Sequence, residues 1–183
     1  MIGIMSATLG ELFSTLPGRD FSFQPQSCLF RTGDRIDCMH LVVEGSVHLM
    51  RPQLNGVELI LSRIHAGEIV AEASLYAEQY HCDVVAQGPV RTRAASREDV
   101  LRRLREDWNF TDAWMRKLAS DIRLCRAKVE ILSLKTVAER LDAWLSLNTG
   151  VLPDKGGGKI VAAQLGVSPE AFYRELARRR TNS

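Results

Sequence analysis

The pattern of apolar and polar positions divides the chain into a β-rich front and a helical back. Between residues 28 and 100, apolar residues alternate with other residues in the two-residue period of strands, as at Val57, Leu59 and Leu61. Asn55-Gly56 predicts a hairpin turn, because both residues tolerate a positive φ angle. Short strands with turns at close spacing predict an antiparallel roll or barrel. Glycines separate these predicted strands at intervals of 11 or 12 residues, at Gly33, Gly45, Gly56 and Gly67.

The apolar spacing changes from two residues to three and four after residue 100. A charged helix is predicted over residues 99–105, and a longer one begins at Thr111. In the longer helix the steps between apolar residues are 4, 3, 4 and 3, which is a heptad seam. An apolar stripe of this kind must be buried. It can pack against a second copy of the chain, against the β segment, or against both on different faces. The seam residues are Leu118, Ile122, Cys125, Val129 and Leu132.

The end of the chain has the pattern of two short helices joined by a tight turn. A helix over residues 136–147 comes first, followed by a glycine-rich loop over 148–158. Val161 and Leu165 then share one helical face, and Gly166 permits the positive φ of a turn. Ser168 is a good N-cap, and Pro169 stands at the first helical position, where its missing N–H costs nothing. The pattern predicts a helix-turn-helix.

The second helix of this motif predicts an apolar inner face and a polar outer face. Phe172 and Leu176 repeat four residues apart and face the first helix. On the outer face, Arg174 could bind a guanine edge and Glu170 could accept from a cytosine amino group. The alternative is a helical hairpin with a solvated basic end. The predicted DNA-binding residues are Lys159, Ser168, Pro169, Glu170, Tyr173, Arg174 and Arg178, with Lys159, Ser168 and Arg178 placed for phosphates.

Charge is distributed unevenly along the chain. Residues 1–110 carry 11 Lys+Arg and 14 Asp+Glu, whereas residues 111–183 carry 13 and 8. The front therefore has a net charge of −3 and the back +5. A basic back half favours contact with a polyanion, although a solvated basic face would give the same count.

Cysteine usage and hydropathy exclude several classes of protein. The cysteines at 28, 38, 82 and 125 form no CxxC pair, which disfavours a zinc or iron–sulfur site. No apolar run approaches the about 20 residues that a membrane span needs, and no secretion signal opens the chain. We therefore expect a cytoplasmic protein with free thiols and no membrane partner.

The order of these segments resembles the Crp/Fnr family of bacterial transcription regulators, from about Phe13 to Arg180. Residues 29–34 resemble the family's early strand and turn, residues 41–49 its next hairpin, and residues 67–75 its phosphate-binding cassette. The resemblance implies an α+β chain with three parts. These are a β-roll (double-stranded jelly roll) effector domain over 1–110, a dimerisation helix over 111–134 and a helix-turn-helix domain over 135–183. Double-stranded DNA with a palindromic site, a second copy of the chain and RNA polymerase are the implied partners.

The cassette departs from the pattern of the cyclic-nucleotide binders. That pattern is glycine then glutamate, with an arginine and a small hydroxyl residue about ten positions later. Here Ala71-Glu72 and Cys82-Asp83 stand at these places. Without the arginine, and with a negative charge near the phosphate position, a cyclic nucleotide is disfavoured. The effector-pocket candidates are Glu72, Ala73, Ser74, Cys82, Asp83 and Cys125.

The other effectors of the family find little support in the sequence. The N-terminal cysteine cluster of its iron–sulfur members is absent, and haem ligation by His81-Cys82 is disfavoured, so the effector stays unknown. The chain ends before the family's β-hairpin wing. The alternative function is therefore a ligand-binding or dimerisation module that has lost DNA binding.

An enzyme is the least supported class. A cupin-like metal enzyme in a β-roll needs clustered histidines, and the four here, at 40, 48, 65 and 81, are scattered. The chain also contains no nucleophile elbow, phosphate loop or metalloprotease motif. No catalytic or metal-binding residue is predicted.

Overall fold

The structure is a computed structural model that describes residues 7–52, 58–148, 152 and 157–181. The chain divides into two compact units, Met1–Leu118 and Ala119–Ser183. The predicted turn at Asn55-Gly56 and most of the predicted glycine-rich loop lie outside the described residues.

The first unit is built on two antiparallel sheets. Its strands are β1 (Gly18–Phe23), β2 (Cys28–Phe30), β3 (Cys38–Glu44), β4 (Ser46–Pro52), β5 (Glu58–His65), β6 (Ile69–Val70), β7 (Asp83–Ala86) and β8 (Val90–Ser96). One sheet has the order β1-β8-β3-β6 and the other the order β2-β7-β4-β5. This arrangement confirms the predicted antiparallel roll and the α+β class.

Alternating side chains on the strands fill the space inside the roll. In β4, Val47 and Leu49 are buried, and they lie opposite Ala86 and Val84 of β7, which are also buried. Each buried valine or leucine side chain contributes about 1.5 to 3 kcal/mol when it leaves water. The short helix α1 (Leu9–Ser14), capped by Thr8 and Glu11, adds Phe13 to the same core. The largest buried side chains of this unit are Phe13, Ile36, Met39, Ile69, Leu75 and Phe110.

The sheet begins ten residues earlier than the predicted β segment. β1 has no fully buried side chain, and its sequence alternates only over Phe21-Ser22-Phe23, which is too short a pattern to predict a strand. Backbone pairing with β8 holds it instead, with Gly18 opposite Ala95. A Cβ atom at Gly18 would collide with the carbonyl oxygen of Ala94, so only glycine allows this close approach.

A buried histidine lies in the middle of β3. The ring of His40 is only 7% exposed and lies among Phe21, Phe23 and Phe30, with ring centroids 5.7, 6.5 and 6.3 Å away. Its Nδ1 atom is 3.0 Å from the hydroxyl of the buried Thr92. Burial lowers the pKa of His40 to about 4, so the ring is neutral near pH 7.

Two helices follow the roll. Helix α2 (Arg97–Glu106) covers the predicted 99–105 helix, and Ser96 caps it by accepting from the Asp99 amide. Helix α3 (Trp108–Ser133) is 26 residues long and begins three residues before the predicted start. Phe110 and Trp114 in its first turns are buried in the core of the roll, which explains the earlier start. The division between the compact units falls inside α3, whereas the sequence placed the boundaries at 110 and 134.

The second unit contains three more helices around a small core of its own. They are α4 (Val137–Leu147), α5 (Gly158–Gln164) and α6 (Pro169–Thr181). Thr136 and Glu139 form a capping box that begins α4. The indole of Trp144 donates to the side chain of Gln164 at 2.7 Å, which ties α4 to α5. The core residues are Ile131, Leu141, Trp144, Val161, Ala162, Leu165 and Phe172.

Candidate DNA-binding helices and effector pocket

The turn between α5 and α6 has the geometry that its residues predict. Gly166 has a φ angle of +64°, and its amide donates to Ala163 at 3.2 Å. The amide of Val167 donates to the carbonyl of Ala162 at 3.0 Å, which closes the last turn of α5. Val167 itself is half-buried against the core of the second unit.

The beginning of α6 is organised by its first residues. The hydroxyl of Ser168 accepts from the Ala171 amide at 3.2 Å, and Pro169 is the first helical residue. Hydrogen bonds from its own backbone amide and from the Ser168 hydroxyl lower the pKa of Glu170, with a smaller contribution from the charge of Lys159. The Glu170 carboxylate is thus held at the positive end of the helix.

The two faces of α6 separate as predicted. Phe172 is buried and Leu176 packs beside it, whereas Glu170, Tyr173 and Arg174 are exposed. The Tyr173 ring stands edge-on to Phe172, with centroids 5.5 Å apart. Its hydroxyl lies where a Cβ atom of residue 158 would be, so Gly158 and Tyr173 fit together. Tyr173 therefore also holds α6 against the start of α5.

The basic end of α6 is organised around a carboxylate that the sequence analysis missed. Glu175 is only 8% exposed and accepts from Arg178 at 2.9 Å on both its oxygens and from Arg179 at 2.8 Å. Arg179 also donates to Asp142 at 2.6 Å and to the carbonyl of Ala138 at 3.0 Å. The two guanidinium groups lower the pKa of Glu175 to about 2. Arg179 thus joins α6 to α4, and the predicted phosphate ligand Arg178 is paired within its own helix.

The predicted seam of α3 is largely exposed in the single chain. Ile122 is 51% exposed, Val129 63% and Leu132 48%, and Cys125 is exposed too. Leu118 differs, because it is half-buried and packs against the core of the roll. Most of the seam therefore has apolar surface available for another molecule.

The cassette region has the compact form of a short 3₁₀ turn. Ala71 has a φ angle of +52°, and the turn spans Glu72–Ser74. Ser74 is buried, and its hydroxyl lies 3.1 Å from Nδ1 of His81. Ala73 is exposed.

The structure separates Cys82 from Asp83. Neighbouring residues of an extended chain point to opposite faces, so Cys82 is buried in the roll while Asp83 faces outward. Burial raises the pKa of the Cys82 thiol. The Asp83 carboxylate accepts from the amide and the hydroxyl of Thr32 at 2.7 and 2.8 Å. It lines an outer cleft of about 620 Å³ with Arg31 and His48, two residues that the sequence analysis did not single out.

Cys125 lies apart from the other pocket candidates in the chain, on the portion of α3 that belongs to the second compact unit. It is exposed, in contrast to the buried Cys82.

In the described parts of the chain, no group of three His, Cys, Asp or Glu side chains is arranged to hold a metal ion. None of the described helices combines the length and the apolar character that a membrane span requires.

Comparison with known proteins gives a family match for the first unit. The family model of the cyclic nucleotide-binding domain matches residues 20–107. The roll is therefore similar to cyclic nucleotide-binding domains. No curated protein matches the sequence significantly.

Solved structures extend the likeness beyond the cyclic nucleotide-binding domain. FixK2 from Bradyrhizobium japonicum superposes with a TM-score of 0.67 and 18% identity, over 91% of this chain and 86% of that chain. CLP from Xanthomonas campestris, a c-di-GMP responsive global regulator, gives 0.63 and 18%, over 90% and 87%. The catabolite activator protein of Thermus thermophilus gives 0.54 and 23%, over 90% and 79%. The chain has the fold of Crp/Fnr-type transcription regulators.

The cassette region combines a left-handed backbone residue with changed side chains. Ala71 stands where the family pattern has glycine, and its left-handed conformation costs an alanine about 1 to 2 kcal/mol. The buried Cys82 stands at the place of the arginine, and Asp83 follows it as the first residue of β7. A thiol and a carboxylate therefore replace the arginine and the small hydroxyl residue of the family pattern.

Proposed function

We propose that this protein is a DNA-binding transcription regulator that acts as a homodimer. The observation that carries the proposal is the α5–α6 pair, whose turn at Gly166 leaves Glu170, Tyr173 and Arg174 together on an exposed face. A second helix presented in this way, with polar residues near its N-terminus, is how such a unit enters the major groove.

The chemistry of this face supports a division between base and phosphate contacts. Arg174 is exposed, and its guanidinium suits the two acceptors of a guanine edge. Lys159 is exposed on α5 and suits a phosphate. Arg178 is 60% exposed in its side chain, but its pairing with Glu175 reduces the charge that it offers.

Selection of genomic DNA fragments by the purified protein, at low and physiological salt, tests DNA binding. We expect a palindromic site whose affinity falls steeply with salt, with a slope of about −0.9 per neutralised phosphate. Arg174→Ala should relax the preference at one base position and cost about 1 to 3 kcal/mol. Arg102→Ala, which removes the same charge from an exposed position on α2, is the matched control. Failure to enrich any fragment at either salt would refute DNA binding.

The exposed seam of α3 supports the dimer. A helix with a 4-3 apolar stripe pairs with a copy of itself through that stripe. Val129 lies in the seam and is 63% exposed, whereas Leu124 lies outside it and is 58% exposed. Val129→Glu should therefore yield monomers in sedimentation experiments, while Leu124→Glu should stay dimeric. Equal behaviour of the two variants would contradict pairing through this seam.

We further propose that the effector is not a cyclic nucleotide. The place of the phosphate-pairing arginine is taken by a buried thiol, and Asp83 follows it with a carboxylate that Thr32 already engages. A ligand at about 100 times its Kd stabilises a folded protein by about 2.7 kcal/mol. Cyclic AMP and cyclic GMP should produce no such rise in the unfolding temperature of the first unit. A concentration-dependent rise with either would overturn this proposal.

A further inference from the structure

Arg140, in the first turn of α4, binds two separate parts of the second unit. Its Nε donates to the carbonyl of Leu134 at 2.9 Å, and its Nη2 donates to that of Leu132 at 3.2 Å. Its Nη1 donates to the carbonyls of Leu165 and Gly166 at 2.9 and 3.4 Å. Leu132 is in the last turn of α3 and Leu134 directly follows the helix, whereas the second pair lies in the turn before α6.

These carbonyls are groups that a helix leaves without partners inside itself. The last C=O groups of a helix have no intrahelical donor, and they carry the negative end of the helix dipole. A guanidinium is planar, always charged and has several N–H donors in a rigid fork, so one side chain can serve two helix ends. Lysine cannot reproduce this, because its donors radiate from a single nitrogen.

A second contact joins the same two parts of the unit. A Cβ atom at Gly166 would lie 2.7 Å from Cδ2 of Leu132, so the turn packs directly on the end of α3. The nearest other atom is Nη1 of Arg140, at 3.5 Å from the same Cβ position. The end of α3 and the turn are therefore connected both by packing and by hydrogen bonds through Arg140.

We propose that Arg140 is a positioning residue that fixes the α5–α6 pair to the end of α3 and thereby sets the orientation of the DNA-facing helix relative to α3. The part of this inference that concerns DNA rests on the proposed function. The local part, that Arg140 holds the two segments together, does not require DNA.

Hydrogen exchange tests the local part without DNA. Arg140→Met keeps the apolar stem and removes every donor, and Arg123→Met, on the exposed part of α3, is the matched control. We expect exchange at least about tenfold faster, equivalent to about 1.4 kcal/mol of lost protection, in both residues 131–136 and residues 163–168 of the Arg140 variant. Amides in the middle of α6 should keep their protection, which shows that the unit still folds. Faster exchange in only one segment, or in neither, would overturn the inference.

DNA sites of altered spacing test the part that concerns DNA. A dimer with rigidly mounted recognition helices tolerates only one separation between half-sites. Arg140→Met should lose this discrimination, so that a palindrome with one extra base pair binds almost as well as the native site, while binding to a single half-site changes little. A merely destabilised unit would lose half-site and full-site affinity alike, which would contradict a positioning role. If the wild-type protein binds no DNA, the proposed function fails, and the exchange result still decides the role of Arg140.

Discussion

The buried imidazole of His40 predicts a specific dependence of stability on pH. The ring is neutral inside an aromatic cluster, and burial lowers its pKa from 6.5 to about 4. Between these values the unfolded chain binds a proton at His40 that the folded protein does not bind, so stability falls as the pH falls. At about 1.4 kcal/mol per pKa unit, the full loss between pH 7 and pH 4 is about 3 kcal/mol. That loss is a large fraction of the about 5 to 15 kcal/mol typical of a domain.

Urea unfolding of the wild type and of His40→Gln at several pH values measures this contribution. The variant has no group at position 40 that titrates. The free energy of unfolding of the wild type, relative to that of the variant, should therefore fall by about 3 kcal/mol from pH 7 to pH 4. A Trp144→Phe background removes the tryptophan of the second unit, so that fluorescence follows the first. Phe13→Leu is the matched control, because Phe13 is a fully buried residue of the same core that is not among the rings packed on His40. It removes no proton site and should lower stability equally at each pH.

The surroundings of His40 explain why no partner compensates for its burial. Its Nε2 lies 3.4 Å from the thiol of Cys38, and burial raises the pKa of that thiol, so no thiolate is available to stabilise an imidazolium. Its Nδ1 faces the neutral hydroxyl of Thr92. If wild type and His40→Gln lose stability in parallel as the pH falls, the reasoning from burial is wrong.

Two further predictions concern the second unit. Gly166→Ala should destabilise it by about 1 to 2 kcal/mol, because alanine resists a φ of +64°. Gly166→Asn places the same Cβ atom against Leu132 but should cost less, because asparagine tolerates that region. Equal urea midpoints for the two variants would contradict a conformational cause. Phe172→Ala removes a side chain that is 1% exposed and should cost about 3 to 5 kcal/mol, lowering the calorimetric transition of the second unit and leaving that of the first in place. Arg174→Ala, on the exposed face, is its comparison, and an equal loss from both would contradict the assigned faces of α6.

Local rules made much of the second unit predictable from the sequence. Gly166 supplies a positive φ, Ser168 and Pro169 begin a helix, and Phe172 and Leu176 lie on one face because they are four residues apart. Each of these signals depends only on residues within one or two helical turns. The alternation of the central strands is a local signal of the same kind, and it revealed the antiparallel roll.

Only the tertiary structure decided the features that depend on partners far apart in the chain. β1 is a strand because of its pairing with β8, more than 60 residues away, and not because of its own pattern. Cys82 and Asp83 are adjacent in sequence but face opposite sides of the roll, so one is core and the other surface.

The same limit explains why Glu175 and Arg140, two charged groups with several partners each, escaped the sequence analysis. Glu175 and Arg140 are ordinary helical residues in sequence, and each acquires its role from neighbours. Glu175 is buried where Arg179 joins α6 to α4, and Arg140 donates to carbonyls 25 and 26 residues away. Periodicity and capping determine which helices form and which faces are apolar. Which charge meets which backbone group is decided by packing, because the chain must first bring distant helix ends together.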